Sequence, residues 1–328
     1  MANHSSYQTA SNTADLLAKL KDFLTNTCGW TLHDDGMGQA QPYFVAYSAG
    51  ESGQEDIYLQ FIDDSSTNMI SIRGALYWDA ASHTAVKPVY SASNTGIVTS
   101  DSASFNCWLF GSLDRVFIVT RIGAIYNPHY SGLIKRFWSE QIAVTQEAAG
   151  VGSDITVSVN DASILTPGKY YIIKDNTNIT RVQITATDLV SNPNTVTIAN
   201  LSAGYSAGAK IGEDPQPVII GYSNLPGCLL LNRYDGYAGQ STHVAYARDF
   251  QNYQLNNSDP DNRYGMVAMF PVFVTCEASN YNELRGELIE VYCIGPGAGA
   301  SEDVIDLGTS TYKMFNNSGG SSWLAVKE

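Results

Sequence analysis

Charge is scarce in this sequence. Asp, Glu, Lys and Arg make up 15% of 328 residues, against roughly a quarter in ordinary globular proteins. The surface must therefore be covered by Ser, Thr, Asn, Gly and Tyr. A surface with few Lys and Glu carries little of the side-chain entropy that opposes contact, so burying it in an assembly costs less. Basic residues are the scarcer sign, 18 against 32 acidic, for a formal net charge of -14. The densest basic spot is Lys135-Arg136. Such a field repels phosphate backbones and anionic membranes, so direct nucleic-acid binding is not expected. No segment approaches the ~20 apolar residues of a membrane span. The first residues, Met1 to Tyr7, have neither a basic start nor an apolar stretch. Neither a signal peptide nor a transmembrane segment is expected.

Cysteine is sparse and scattered: Cys28, Cys107, Cys228, Cys276 and Cys293. No Cys-x-x-Cys pair occurs, which argues against a zinc site or thioredoxin-like chemistry. The odd count points to free, mostly buried thiols. A bridge such as Cys276 to Cys293 is the alternative in an oxidising setting.

Catalytic signatures are missing too. There is no Gly-x-Gly-x-x-Gly between strand and helix, no phosphate-binding Walker loop, no His-Glu-x-x-His and no Gly-x-Ser-x-Gly elbow. Gly295-Pro296-Gly297-Ala298-Gly299 has neither a Lys nor a following helix and reads as a surface loop. The histidines His4, His33, His83, His129 and His243 lie far apart, and a lone His on a polar segment is usually solvated. His33-Asp34-Asp35, followed by Gly36-Met37-Gly38, reads as a turn. Asn257-Ser258-Asp259-Pro260-Asp261-Asn262 offers several oxygens but lacks the spacing of a calcium loop, so it reads as a polar turn. Glu287 and Glu290 are carboxylates of the kind glycoside hydrolysis uses, but their separation in sequence fixes nothing in space. The expectation is a chain that is not an enzyme, with no catalytic, cofactor-binding or metal-binding residue.

What is present is β-structure. One helix reads clearly: Asn12 or Thr13 caps it, and Asp15 suits the dipole of its first turn. Leu16, Leu17, Leu20, Phe23 and Leu24 form its apolar stripe, and Cys28-Gly29 ends it. Short β-prone runs follow at 43–47, 56–61, 69–74, 104–111 and 115–121, and the last is apolar enough for a strand covered on both faces. Residues 91–104 read as a long loop. Residues 146–152 are Gly/Ala-rich and read as a linker into a compact set of alternating strands at 155–159, 169–174, 180–187, 195–198 and 208–212. This stretch contains no Trp, Phe, His or Cys, unlike its flanks. After the linker Glu213-Asp214-Pro215-Gln216-Pro217, β-prone runs resume at 218–222, 266–274 and 286–294. A closing hairpin pairs 311–315 with 322–326.

The predicted fold is mainly β (α+β): a β-sheet or sandwich main domain with one N-terminal amphipathic helix. Into it is inserted a small β-barrel or β-sandwich domain. The divisions are 1–145, 146–213 and 214–328. Twenty tyrosines are many for this length. Those in polar stretches, Tyr205, Tyr234, Tyr237, Tyr253, Tyr264 and Tyr281, suit interfaces or sugar platforms, unless Tyr serves simply as a β-former.

Three stretches carry a resemblance. They are the helix Leu16-Leu17-Ala18-Lys19-Leu20-Lys21-Asp22-Phe23-Leu24 running to Cys28-Gly29-Trp30-Thr31-Leu32, the core strand Asp114 to Arg121 followed by an aromatic-basic turn from Tyr130 to Phe137, and the hairpin within Asp306 to Val326. The insert adds Val159-Asn160-Asp161-Ala162-Ser163 and Tyr205 to Gly212. In this order they resemble virion structural proteins of tailed bacteriophages (neck or collar, tail or baseplate-associated). The resemblance implies a non-enzymatic part of a phage particle, assembled in the host cytoplasm. Its partners would be other virion proteins and further copies of itself, in a symmetric ring. A receptor- or glycan-binding adhesin module is the alternative, and a polysaccharide-degrading enzyme comes third.

Overall fold

A computed structural model describes residues 3–53, 55–90, 96–136, 142–212, 218–221, 228–231, 243–248, 269–278, 281–294, 299–316 and 323–328. The chain is mainly β, 57% strand and 8% helical. It divides into two compact units. The first comprises Met1–Lys135, Pro217–Leu231 and His243–Glu328, and the second Arg136–Gln216 with Asn232–Thr242.

The first unit contains the helix, Thr13–Asp22, started as its sequence requires: the Asn12 side chain accepts from the Asp15 N–H at 2.8 Å. A wider turn, Phe23–Thr27, follows, and Gly29 (φ +80°) supplies the left-handed exit. Leu16, Leu17, Leu20 and Leu24 are fully buried, each contributing about 1.5–3 kcal/mol of hydrophobic stabilisation. They pack into one core with an inner face from each of two sheets. Phe44, Ala46, Leu59, Phe61, Ile70 and Ile72 come from a six-stranded sheet. Its order is Thr31–Asp35, Tyr43–Ser48, Ile57–Asp64, Met69–Asp79 and Thr84–Tyr90, with Ile97–Val98 paired to Met69–Asp79. That last strand lies inside the stretch read as a long loop, because Met69 and Ile70 offer it an edge at Val98 and Ile97.

Cys107, Leu109, Val116 and Ile118 reach the same core from a thirteen-stranded sheet. It runs from His4–Ala10 through Phe105–Gly111, Arg115–Ile122 and Ile125–Gly132 to the C-terminal strands Trp323–Lys327, Thr311–Asn316 and Val304–Asp306. A curled half-barrel sheet is present in the chain. Trp108, Phe110, Phe117 and Val119, on its opposite face, meet Val291, Cys293, Phe315, Leu324 and Val326 in a second core. Strands 105–111 and 115–122 are thus covered on both sides, as the apolar run at 115–121 predicts. The C-terminal hairpin pairs antiparallel, with Phe315 opposite Leu324. The expected turn beginning at Tyr130 is corrected: Tyr130 and Ser131 belong to the strand Ile125–Gly132 and Lys135 to Ile134–Arg136. The break between them is Leu133, and it follows Gly132, whose φ of +136° and close approach to the Asp114 carbonyl admit no side chain.

The second unit is a small barrel. Its order is Ala143–Val144, Lys210–Gly212, Tyr170–Lys174, Ile179–Asp188, Asn194–Leu201 and Gly152–Val159. The two ends of that order meet: Thr145 bridges Val159, and the Gln146 N–H donates to the Ser158 carbonyl at 2.8 Å. Alternating Val157, Val159, Val182, Ile184, Val196 and Ile198 fill the interior with Ile173 and Ile211. The Gly/Ala-rich stretch read as a linker is corrected by this closure. Ala149 bridges Tyr205 and is buried, so small residues there let the chain pass close to the barrel wall. The first strand lies just before Gln146 and the last ends one residue before Glu213.

Candidate functional site

The face of the six-stranded sheet opposite the helix is built from aromatic side chains. Tyr43, Val45 and Tyr47 alternate with the core residues Phe44 and Ala46, so the period-2 geometry of the strand sends them to this side. Tyr58, Tyr77 and Trp78 arrive from the next strands. A register shift between Leu32 and Asp34 leaves His33 as an extra residue opposite Tyr43–Ser48. A bulge of this kind re-aims side chains. Asp34 is buried as a result and gathers three partners. The Trp78 indole N–H donates at 2.7 Å, the Tyr43 hydroxyl donates at 3.2 Å, and Nδ1 of His83 lies at 2.9 Å. Burial pushes the Asp34 carboxyl up, but the bonds from His83 and Trp78 outweigh it and hold it below its ordinary range. A carboxylate only accepts, so Nδ1 of His83 carries the proton and Nε2 is turned outward. His83 sits in the hairpin turn at φ +54°, its side chain 56% exposed.

Beside it, Nε2 of His33 donates to the Trp78 carbonyl at 2.9 Å, and the ring stands edge-on to Tyr58, with centroids 5.1 Å apart. Tyr58 packs against Tyr47 at 4.8 Å and Tyr77 at 5.6 Å. Burial raises both the Tyr47 and Tyr58 hydroxyls, Tyr58 strongly. The arrangement offers apolar rings with polar tips and one outward imidazole nitrogen. Tyr43, Tyr47 and Tyr77 keep part of their rings in solvent, while Val45, Tyr58 and Trp78 are buried beneath them.

A second polar cluster lies in the thirteen-stranded sheet. Arg115 has no exposed surface, and its Nη2 donates to Glu290 at 3.1 Å while Nε and Nη1 find no partner among the described residues. Glu290 also accepts from Lys327 at 2.8 Å. Burial pushes its carboxyl up, but Lys327 and Arg115 hold it below the ordinary range. Glu290 reaches Arg115 because the strand Tyr281–Ile294 bulges between Glu287 and Tyr292, with Glu290 itself at φ +58°. Nearby in sequence, His129 is wholly enclosed. Its Nε2 meets Ser131 Oγ at 3.0 Å, Nδ1 has no partner, and burial pushes its pKa down to about 3.

In the barrel, the turn between Ile179–Asp188 and Asn194–Leu201 holds Leu189 and Val190 in solvent, 55% and 95% exposed. The Asp188 carboxylate ties that turn down by accepting from the Val190 and Ser191 N–H groups at 2.8 and 3.2 Å.

Several sequence expectations change here. His33-Asp34-Asp35 is not a turn but the strand Thr31–Asp35 and a corner of the aromatic site. His33 and His83, far apart in sequence, are brought to one tryptophan. Glu287 and Glu290 serve different partners: Glu287 accepts from Lys135, and Glu290 from Arg115 and Lys327. Tyr205 is not an interface residue, because its ring fills the barrel core. Cys28 and Cys107 are buried free thiols, pushed up to about 12 by burial, and Cys293 is buried as well. The register sets Cys293 opposite Phe270 and Cys276 opposite Glu283, too far apart along the strand pair for a Cys276–Cys293 bridge. Tyr234, Tyr237, Tyr253, Tyr264, residues 257–262 and residues 295–298 lie outside the described residues, and so do the side chains of His243 and Tyr281. Among the described residues no group of three or more His, Cys, Asp or Glu side chains is placed to hold a metal ion, and no helix is long and apolar enough to cross a membrane. The chain matches no protein-family model, and no curated protein matches it.

Proposed function

We propose that this chain is a non-enzymatic structural component of a tailed-bacteriophage particle, at the neck, collar or tail, acting in several copies through protein interfaces. The observation that carries this reading is the hairpin tip of the barrel. Val190 (95% exposed) and Leu189 (55% exposed) form an apolar tip on a turn that Asp188 already holds down, so a partner that covers it buries two aliphatic side chains without first ordering the turn. The low charge and the resemblance of the helix, core strand and hairpin stretches to virion proteins support it. Mass spectrometry of purified particles from a host producing this chain is the test, together with a Val190→Asp variant. The protein is expected in the wild-type particles and depleted from those made with the variant. Its absence from wild-type particles refutes the proposal.

The aromatic face favours a second reading, a glycan-binding module of the virion. Half-buried Tyr47 and Tyr77 beside His33, with Tyr43 and the half-exposed His83 sharing Asp34, suit stacking on a sugar ring with one hydrogen bond to a hydroxyl. Titration with host surface polysaccharide, followed by tyrosine and tryptophan fluorescence, tests it. Unchanged spectra at saturating polysaccharide rule it out.

A further inference from the structure

The strand His4–Ala10 ends the thirteen-stranded sheet. It pairs with Phe105–Gly111 on one side, and among the described residues no strand pairs with the other. Natural edge strands are usually shielded by charge, proline, bulges or brevity. This one spans seven residues in unbroken register, from His4 opposite Gly111 to Ala10 opposite Phe105. It contains no Pro, Gly, Asp, Glu, Lys or Arg, in a chain of net charge -14. Ser5, Tyr7 and Thr9 are exposed on one face, Tyr7 to 58%, with its ring 5.2 Å from Trp108. On the other face Ser6 and Gln8, with Ala18, Lys19, Asp22 and Phe23, line a groove of about 310 Å³ between strand and helix.

We infer that a second copy of the chain adds to this edge, strand against antiparallel strand, about a two-fold axis through Tyr7. Tyr7 is the middle residue of the strand. The two-fold therefore sets it opposite Tyr7 of the second copy, Ser6 opposite Gln8, and Ser5 opposite Thr9. An isologous contact juxtaposes each residue with its own kind near the axis, which on an acidic surface means carboxylate against carboxylate. This edge is free of that penalty. At the centre the two tyrosines form an aromatic cross-strand pair flanked by Trp108 of each copy. The helices complement one another as well. Thr13–Asp22 runs back along the strand at about 1.5 Å per residue against about 3.3 Å in the strand, so Lys19 comes level with Gln8 and Asp22 with Ser6. Because the two-fold pairs Ser6 with Gln8, it turns Asp22 of each copy toward Lys19 of the other, where it joins Asp15, which holds that ammonium at 2.6 Å. This pairing holds whether or not the chain resides in a particle.

Sedimentation velocity over a concentration series tests it. The wild-type chain is expected to dimerise. Tyr7→Lys, an exposed change that leaves the circular dichroism spectrum as it was, sets two ammonium groups face to face and raises the dimer Kd at least about tenfold. Tyr7→Glu does the same with carboxylates. Mixed together, the two variants pair again, because opposite charges then meet at the axis. A Tyr7→Cys variant gives a readout that needs no loss of pairing: mild oxidation cross-links it into a covalent dimer, which wild type does not form. A wild-type chain that stays monomeric overturns the inference, as does a dimer indifferent to Tyr7→Lys, a mixture that remains monomeric, or a Tyr7→Cys chain that does not cross-link.

Discussion

Replacing His129 by Gln removes an imidazole that the sheet encloses completely, while a Gln amide can keep the bond to Ser131. In the folded chain burial holds the His129 pKa at about 3, whereas in the unfolded chain it returns to about 6.5. The unfolded state therefore takes up a proton that the folded state refuses. The stability this contributes is fully present above about pH 6.5 and is lost as pH falls toward about 3, at about 1.4 kcal/mol per pH unit. Between pH 7 and pH 4.5 the loss comes to about 2–3 kcal/mol. The difference between wild type and His129→Gln across this window isolates the imidazole. Asp34 and Glu290 have depressed pKa values, so their contribution is lost only as pH falls through the carboxylate range below it. Urea titrations at each pH, followed by tryptophan fluorescence, report mainly on the first unit, which holds four of the five tryptophans, Trp30, Trp78, Trp108 and Trp323. The wild-type chain should lose stability across the window, while His129→Gln should change by less than about 0.5 kcal/mol. Equal slopes in the two proteins would refute the reasoning, since His129 would then be taking up its proton in the folded state.

Two further substitutions probe the same sheet. Glu290→Gln leaves the Arg115 guanidinium buried without a counter-charge, which should cost about 3–5 kcal/mol in urea unfolding near neutral pH. A loss below about 1 kcal/mol would mean that water or another group already neutralises Arg115. Gly132→Ala places a methyl 2.3 Å from the Asp114 carbonyl oxygen at φ +136°. The chain is expected to lose more than about 3 kcal/mol or fail to fold, and a normal melting temperature would contradict the geometry.

Local patterns carried most of the fold into the sequence. Asn12, Asp15 and Gly29 mark the helix by chemistry that acts within a few residues. The alternation of Val157 and Val159, or of Val182 and Ile184, needs only the pleat of a strand. The barrel's closure was not legible in this way. Its Gly/Ala-rich stretch looks like a spacer until Ser158 and Tyr205 come into place beside it. The aromatic site was hidden for a related reason. Asp34 finds Trp78 44 positions away and His83 49 away, and the bulge at His33 that aims it leaves no mark on composition. Arg115 reads as an ordinary strand residue, because its counter-charge is 175 positions distant. The one sequence signal at the site was the β-prone run 43–47, whose Tyr43 and Tyr47 fall on one strand face but are explained equally well by β-propensity.

The barrel's first and last strands are neighbours, Ala143 opposite Ile211 and Val144 opposite Lys210. This bears on the order in which the chain can fold. The host strand Ile125–Gly132 must find Val218–Gly221, a pairing that sets His129 opposite Gly221 across the whole insert. Once the barrel has formed, the path between those strands shortens to the few residues on either side of it, lowering the closure entropy on the order of 1 kcal/mol. A domain that interrupts its host in sequence thus acts as a clasp during folding: it draws two distant strands together before the sheet that needs them exists.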